Sequence, residues 1–321
     1  MGWKLFCKEC RLTMIEVQKL VKNYNEVKAL QSIDFKIKDG EVVGFLGANG
    51  AGKSTALKIL TGYLNPTSGK VLIDGLNIHD HSYEIRELIG YLPESNPLYS
   101  EMTVFDLLKF TATIRNIFGV DFNNALDKVI EQCGLKEVVH KQIGQCSKGF
   151  KQRVGLACAI IHDPKILILD EPVTGLDPNQ IIEIRGLIKN LGKEKLILMS
   201  SHILQEIEAT VDRIMIIDHG KIIADGSTSS LMKEFMGNIK LKLNILKSTD
   251  ESITLLTKKI NNITITNTQT TKGGHMVDIA YQQGEDPRES IFKYAVKNKW
   301  ILIEMNTETA NLETIFRKLT N

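Results

Sequence analysis

Residues 47 to 54 read Gly-Ala-Asn-Gly-Ala-Gly-Lys-Ser, directly after the apolar run Val42, Val43, Gly44, Phe45, Leu46 and directly before a helical pattern from Thr55 to Leu64. A strand that passes into a helix through a glycine-rich turn of this kind belongs to an α/β core with its ligand at the strand's carboxyl end. Gly47, Gly50 and Gly52 lack a Cβ, so they can take the tight and left-handed conformations that point consecutive N–H groups into one concavity. Asn49 and Ala51 complete that cradle. Thr55 lies in the first turn of the following helix, whose unpaired N–H groups and positive dipole end face the same space. A triphosphate fits there. Lys53 supplies a cation for the β- and γ-phosphates and Ser54 a hydroxyl ligand for Mg²⁺. The bland alternative is a turn that binds nothing; the strand before, the helix after and the Lys-Ser pair argue against it.

Such a loop does not by itself choose among kinases, GTPases, helicases and transport ATPases. Residues 166 to 171, Ile-Leu-Ile-Leu-Asp-Glu, narrow the choice. Four apolar residues in a row fit a strand buried on both faces of a parallel sheet, with two carboxylates at the end where ligands bind. Asp170 is expected to hold Mg²⁺, directly or through water, and Glu171 to polarise the water that attacks the γ-phosphate. Paired acids often mark a mere solvated strand end, but here they cap an apolar strand.

Between these two motifs stands Cys146-Ser147-Lys148-Gly149-Phe150-Lys151-Gln152-Arg153, followed by an apolar helical stretch from Val154 to Ile161. Here the chain resembles the ATP-binding subunit of ABC transporters. Ser147 and Gly149 match the Ser-Gly-Gly centre of that family's signature, with Lys148 for the middle glycine and Cys146 for the usual leucine. Further likenesses follow in family order. Gly175-Leu176-Asp177-Pro178 resembles the loop that communicates across the dimer, and Ser200-Ser201-His202 resembles the segment that carries the family's switch histidine. Upstream, Tyr24 resembles the aromatic that stacks on adenine. Gly90-Tyr91-Leu92-Pro93-Glu94 takes the place of a loop that normally carries Gln, and Glu94 stands there as a candidate Mg²⁺ ligand. The resemblance spans roughly residues 14 to 235. It implies ATP and Mg²⁺ as cofactors, with Ser147, Gly149 and Asp177 reaching the nucleotide of the opposite subunit. It also implies catalysis by Glu171, His202 and Lys53, a homodimer or a paired ABC subunit, and a separate integral membrane permease. Within the family, the stretch Ile89 to Leu108, the Ser-Lys-Gly-Phe signature and Gly-Leu-Asp-Pro-Asn-Gln resemble the gliding-motility-associated branch of the ABC-2 exporters.

Composition sets the outer bounds. The chain has 321 residues, is 43% hydrophobic and carries a formal charge of +2. That size buries a substantial core and suggests one large domain and one small one. The near balance of charge argues against nucleic acid as the main partner. Apolar runs such as 166–169 and 214–217 are far short of the roughly 18 to 20 residues that cross a bilayer, so no direct membrane insertion is expected. The resemblance then implies a cytoplasmic protein, peripheral on the inner face of the membrane. Cysteines at 7, 10, 133, 146 and 158 are odd in number and scattered, as in a reduced compartment. Cys7 and Cys10 form a Cys-x-x-Cys pair without two further ligands at metal spacing. Residues 1–13 precede the family-like start at Met14 and read as a loose tail or an over-extended start.

The expected order is strands near 14–20, 31–37 and 41–46, the loop and its helix, and strands near 70–74 and 88–92. A helical subdomain follows over about 100–162, with Thr103 capping Val104 to Arg115 and a second helix from Asn123 to Cys133. Strands at 166–170, 196–200, 214–218 and 221–224 close the core. The fold class is therefore α/β, a P-loop NTPase of ABC type with an antiparallel β layer and a helical subdomain over 14–235. After residue 236 the pattern β-α-β-β-α-β-α, ending in a helix over 311–320, suggests an accessory α+β domain of ferredoxin-like type. Two rival readings differ in class. A soluble non-transport or regulatory ABC ATPase calls for coiled-coil insertions or tandem cassettes, which the sequence lacks. A non-hydrolysing module calls for loss of the carboxylate or the histidine, and both are present. No Asn-Lys-x-Asp guanine-reading element occurs.

Overall fold

The computed structural model describes residues 15–235, 239–282 and 285–308, with isolated positions 313, 316 and 320. Residues 1–13, with Cys7 and Cys10, and most of the expected helix over 311–320 lie outside the described residues. The chain divides into two compact units between Thr228 and Ser229.

The first unit opens with β1 (Ile15–Tyr24), β2 (Val27–Ile37), β3 (Val42–Leu46), α1 (Lys53–Leu60), β4 (Ser68–Ile73) and β5 (Leu76–Asn77). It continues with α2 (Ser82–Leu88), β6 (Ile89–Leu92), α3 (Val104–Ile114), α4 (Gly119–Cys133), α5 (Lys148–Ile160) and β7 (Ile166–Leu169). Then come α6 (Pro178–Leu191), β8 (Leu196–Ser201), α7 (Leu204–Glu208), β9 (Arg213–Asp218) and β10 (Lys221–Gly226). The helix α8 (Thr228–Phe235) begins at the boundary.

Two sheets result. One is antiparallel, in the order β2-β1-β4-β5, and the other runs β10-β9-β3-β8-β7-β6, with only β10 antiparallel to its neighbour. Every residue of β3, β7 and β8 is buried. That is the reason their sequences are continuous rather than alternating apolar runs: both faces of a parallel sheet are covered. A single core joins the two sheets to α1 through Ile15, Leu30, Phe45, Leu57 and Ile168.

The helical segment is built on α3, α4 and α5. Thr103 caps α3 by accepting the Asp106 N–H at 3.1 Å, which satisfies one of the helix's orphan donors. The second helix begins at Gly119, one turn earlier than the periodicity from Asn123 indicated. The extra turn is held by Phe122, which is buried and meets Phe105 edge-on at 6.0 Å.

The second unit contains β11 (Ile239–Leu246), α9 (Asp250–Lys259), β12 (Ile263–Thr271), β13 (Gly274–Tyr281), α10 (Arg288–Lys297) and β14 (Ile301–Glu308). Its antiparallel sheet runs β12-β13-β11-β14, the strand order of a ferredoxin-like split β-α-β module. Leu243, Ile245, Leu256, Val277, Ile279 and Ile291 form its own core. The buried His275 links Ser248 and Asp250, each at 2.8 Å, and so pins the turn that starts α9.

His162, in the turn between α5 and β7, gives the first unit a defined acid sensitivity. Its Nε2 lies 3.1 Å from the Ile89 carbonyl. Burial, with Arg115 and Lys195 adding positive potential against the one opposing charge of Asp163, lowers its pKa from the ordinary 6.5 to about 4. The folded state binds fewer protons than the unfolded state between those values, so stability contributed by the neutral ring falls as pH drops from 6.5 toward 4. Urea unfolding of wild type and His162→Gln at pH 7 and pH 5 is expected to show a smaller acid loss in the variant, by on the order of 1 to 2 kcal/mol. Equal losses would remove His162 from this role.

Candidate functional site

The site is fixed first by strand register. In the parallel pairs Leu46 stands beside Ser201, Leu169 beside Met199, and Leu92 beside Leu169. The residues that follow each strand therefore emerge together at one edge: the Gly47 loop, Asp170 and Glu171, Ser200 to His202, and Glu94. The glycine loop is held by Gly47 N–H donating to the Ser201 carbonyl at 3.3 Å. Gly52, the N-cap of α1, has φ +110°, a conformation that an L side chain rarely adopts. Gly47 serves differently from the left-handed turn residue expected, since its φ is not positive; a Cβ there would stand 2.5 Å from the Ile217 carbonyl.

Lys53, Asp170 and Glu171 are almost fully buried, at 6%, 1% and 5% exposure. Lys53 Nζ donates to the carbonyls of Gly47 at 2.8 Å and Ala48 at 3.2 Å and lies 3.4 Å from Glu171 Oε1. Asp170 accepts from Ser54 Oγ at 3.2 Å and from Ser200 Oγ at 2.6 Å. Ser200 in turn accepts the Glu171 N–H at 2.9 Å, so one hydroxyl positions both acids. The other carboxylate oxygen of Glu171 meets His202 Nδ1 at 2.9 Å and Thr174 Oγ1 at 3.2 Å. Glu171 itself has φ +50°, a strained value for a residue with a side chain.

A cleft of about 310 Å³ is lined by Asn49, Gly50, Gly52, Lys53, Ser54, Thr55, Glu94 and Glu171. A neighbouring cleft of about 410 Å³ shares Ser54 and Glu94 and adds Asp170 and Tyr91. The structure thus gathers Asn49, Gly50, Gly52 to Thr55, Glu94, Asp170 and Glu171 around the clefts, with His202 bonded to Glu171, while Gly47 and Ala51 line neither. Other expected residues are not among those lining either cleft. Tyr24 ends β1, 43% exposed, with the Lys22 ammonium 5.2 Å from its ring centroid. Ser147 is the exposed N-cap of α5, accepting from Phe150 N–H at 3.3 Å, and Asp177 is the N-cap of α6, accepting from Gln180 N–H at 3.0 Å. Gly149 is buried against Gln180. Sequence reasoning missed Thr174 and the bridging part of Ser200; hydroxyls beside known acids are the only signal, and register turns it into contact.

Among the described residues no group of three or more His, Cys, Asp or Glu side chains is placed to cage a metal ion. What the cleft offers is the Asp170 carboxylate, the Ser54 hydroxyl and Glu94, beside a buried Tyr91 hydroxyl that has no hydrogen-bond partner. Burial, with the charge of Asp170 adding to it, raises the Tyr91 pKa, so this phenol stays a proton donor. The set fits a hydrated Mg²⁺, which takes one or two carboxylates and leaves remaining positions to water and phosphate.

Comparison with known proteins decides the family. The family described as ABC transporter matches residues 30–174. The bacitracin transport ATP-binding protein BcrA of Bacillus licheniformis is 40% identical over 234 residues, 72% of this chain and 76% of its own. BcrA of Enterococcus faecalis is 33% identical over 95% of this chain and 96% of its own. The chain belongs to the ABC transporter ATP-binding family. Among solved structures, the dimeric cassette MJ0796 superposes with a TM-score of 0.61 at 26% identity, covering 66% of this chain and 98% of the other. This ABC ATPase therefore carries an ATP-hydrolysing, nucleotide-binding cassette. Among the described residues no helix is long and apolar enough to cross a membrane.

Ser200→Ala in this ABC ATPase removes the shared hydroxyl, strands the buried Glu171 N–H and leaves the Asp170 oxygen with Ser54 alone. A loss of about 2 kcal/mol in urea unfolding is expected. Steady-state ATP turnover should fall on the order of tenfold, because both acids lose their anchor. Unchanged stability and turnover would show that the bridge does not hold them.

Proposed function

We propose that this chain is the ATP-hydrolysing subunit of an ABC-2 type exporter, acting as a homodimer or with a paired ABC subunit beneath a separate integral membrane permease. The observation that carries the reading is the buried network in which Glu171 is held at once by Lys53, Thr174 and His202, while Asp170 meets Ser54. A binding module without turnover has no need of an oriented, desolvated carboxylate bonded to an imidazole.

Each residue then has a chemical part. The backbone N–H groups of Gly47 to Ser54 and the start of α1 bind the phosphates, and Lys53 neutralises the β- and γ-oxygens. Ser54 and Asp170 would hold Mg²⁺, with Glu94 at the rim; the cation supplies charge neutralisation at the phosphates. Glu171 accepts a proton from the attacking water, and His202, its Nδ1 committed to Glu171, offers Nε2 to the γ-phosphate or to that water. Tyr24 supplies the exposed aromatic face for adenine.

Ser147 and Gly149 do not line the phosphate cleft of their own chain. In the proposed dimer they meet the nucleotide of the other subunit, head to tail, with Asp177 at the same junction. The related cassette MJ0796 is dimeric, which supports association of this kind. ATP closes the pair because it binds the closed form better than the open one, and hydrolysis removes the γ-phosphate that joins the halves. The permease follows that motion at the cytoplasmic face. The ATP-binding domain is assigned to 14–235, with its helical subdomain at about 100–162 docking the permease. The domain over 236–321 is assigned to dimer stabilisation or regulation. The Leu-Pro-Glu-Ser-Asn-Pro-Leu-Tyr stretch and the Ser-Lys-Gly-Phe signature favour the gliding-motility-associated branch.

The test compares the purified full chain with Glu171→Gln in Mg²⁺ and ATP. Wild type should turn over, the variant should be slower by on the order of a hundredfold or more, and light scattering should show the variant trapped as a dimer. A wild type that binds ATP but neither hydrolyses it nor associates would sink the reading.

A further inference from the structure

The helix that would read the partner's nucleotide is seated on the loop that carries this subunit's own catalytic carboxylate. Three contacts join the first turns of α5 to residues 171–180. Gln152 Nε2 donates to the Pro172 carbonyl at 2.8 Å. The Lys148 ammonium lies over Gly175, whose φ is +69° and where any Cβ would collide with that amine. Gly149 backs onto Gln180, whose Cδ would stand 2.7 Å from a Cβ on the glycine. Beyond this seat α5 is fixed in the core by the buried Val154, Leu156 and Ala157.

Pro172 directly follows Glu171, and the two share a peptide unit. Glu171 is at φ +50°, a conformation that persists only where its surroundings over-determine it. On its N-terminal side the determinant is the Ser200 hydroxyl; on its C-terminal side the Glu171 carbonyl accepts the Thr174 N–H at 3.2 Å, and one peptide further on the Pro172 carbonyl accepts the Gln152 amide. Proline contributes no N–H, so its carbonyl is the one hydrogen-bonding backbone group at that position by which the loop can be held.

We propose that Gln152 is a positioning residue: it ties the helix that meets the partner's nucleotide to the Pro172 carbonyl, one peptide beyond the unit that Glu171 shares with Pro172, and so steadies the turn that orients Glu171. The idea deepens the proposed function and rests on the head-to-tail dimer. A shift of α5 when Ser147 and Gly149 engage a γ-phosphate is passed through the Gln152 amide to Pro172, and the carboxylate is brought into line. Gln152 lines neither cleft and acts through Glu171. A merely structural glutamine would alter stability without separating turnover from nucleotide binding.

Gln152→Met keeps the length of the side chain and removes the donor, whereas Gln152→Lys restores a donor of similar reach. The two are compared with wild type for kcat, KM for ATP and melting temperature, and each is placed in the Glu171→Gln background to score the ATP-trapped dimer. The expected result is a kcat about tenfold lower in Gln152→Met, with KM, melting temperature and dimer trapping kept, and recovery of most of the turnover in Gln152→Lys. Wild-type turnover in Gln152→Met overturns the tie, as does failure of the Lys variant to recover. Loss of the trapped dimer together with turnover also overturns it, because Gln152 then serves the partner contact. If Glu171→Gln alone traps no dimer, the head-to-tail reading falls first and takes the tie with it; if it traps and Gln152→Met turns over normally, the tie alone falls.

Discussion

The rest of the first unit depends on keeping two carboxylates and one ammonium out of water. Removing such charges from solvent costs several kcal/mol each, and their mutual attraction offsets this only if geometry and hydrogen bonds are good. Lys53 is satisfied by two loop carbonyls and Glu171, Asp170 by two serine hydroxyls, and Glu171 by a threonine, a histidine and a lysine. These partners come from the chain just after β3, the end of β8 and the turn after β7. Only a sheet whose register is fixed on both faces brings them within bonding distance, and the continuous burial of β3, β7 and β8 supplies that constraint.

The motifs legible in the sequence are those whose chemistry is carried by the backbone or by adjacent residues. The loop at 47–54 needs glycine where the chain turns left-handed, and the run at 166–169 needs apolar residues on both faces; each leaves a local trace. The split β-α-β order of the second unit leaves such a trace at its start, where β11 alternates and Thr249 caps α9. Residues whose work is to bridge two elements leave no such trace. Ser200 matters because it faces Asp170 across a strand pair, and Thr174 because the chain turns back on Glu171. Gly47 was legible as a glycine but for another reason than the one found: a carbonyl of β9 occupies the place of its Cβ. The early start of α4 was hidden because its determinant, Phe105, lies on a different helix.

The departures from the family pattern are accommodated by specific contacts. Cys146 is buried, with Sγ 3.6 Å from the Gln142 carbonyl, so it keeps the packing part of the leucine it replaces. Lys148 finds room because its neighbour across the loop is Gly175. Glu94 stands at the rim shared by the two clefts, where its carboxylate adds negative charge close to Ser54. The remaining cysteines described are inert by environment: burial pushes the Cys133 thiol up to about 12 and Cys158 up to about 11.

Charge balance at the site bears on the order of events. Lys53 is shared between the loop carbonyls and Glu171, so one ammonium holds the loop and the acid together. A triphosphate entering the loop competes for the same ammonium with more charge at shorter range. Were Lys53 to turn to the phosphates, Glu171 would still have Thr174 and His202 to orient its carboxylate. The site as built holds two carboxylates against one ammonium. Asp170 and Ser54 would hold the divalent cation that balances a further polyanion in that space. Loop and acid are thereby linked through one lysine: an anion that drew Lys53 to the loop would at the same time draw it from Glu171.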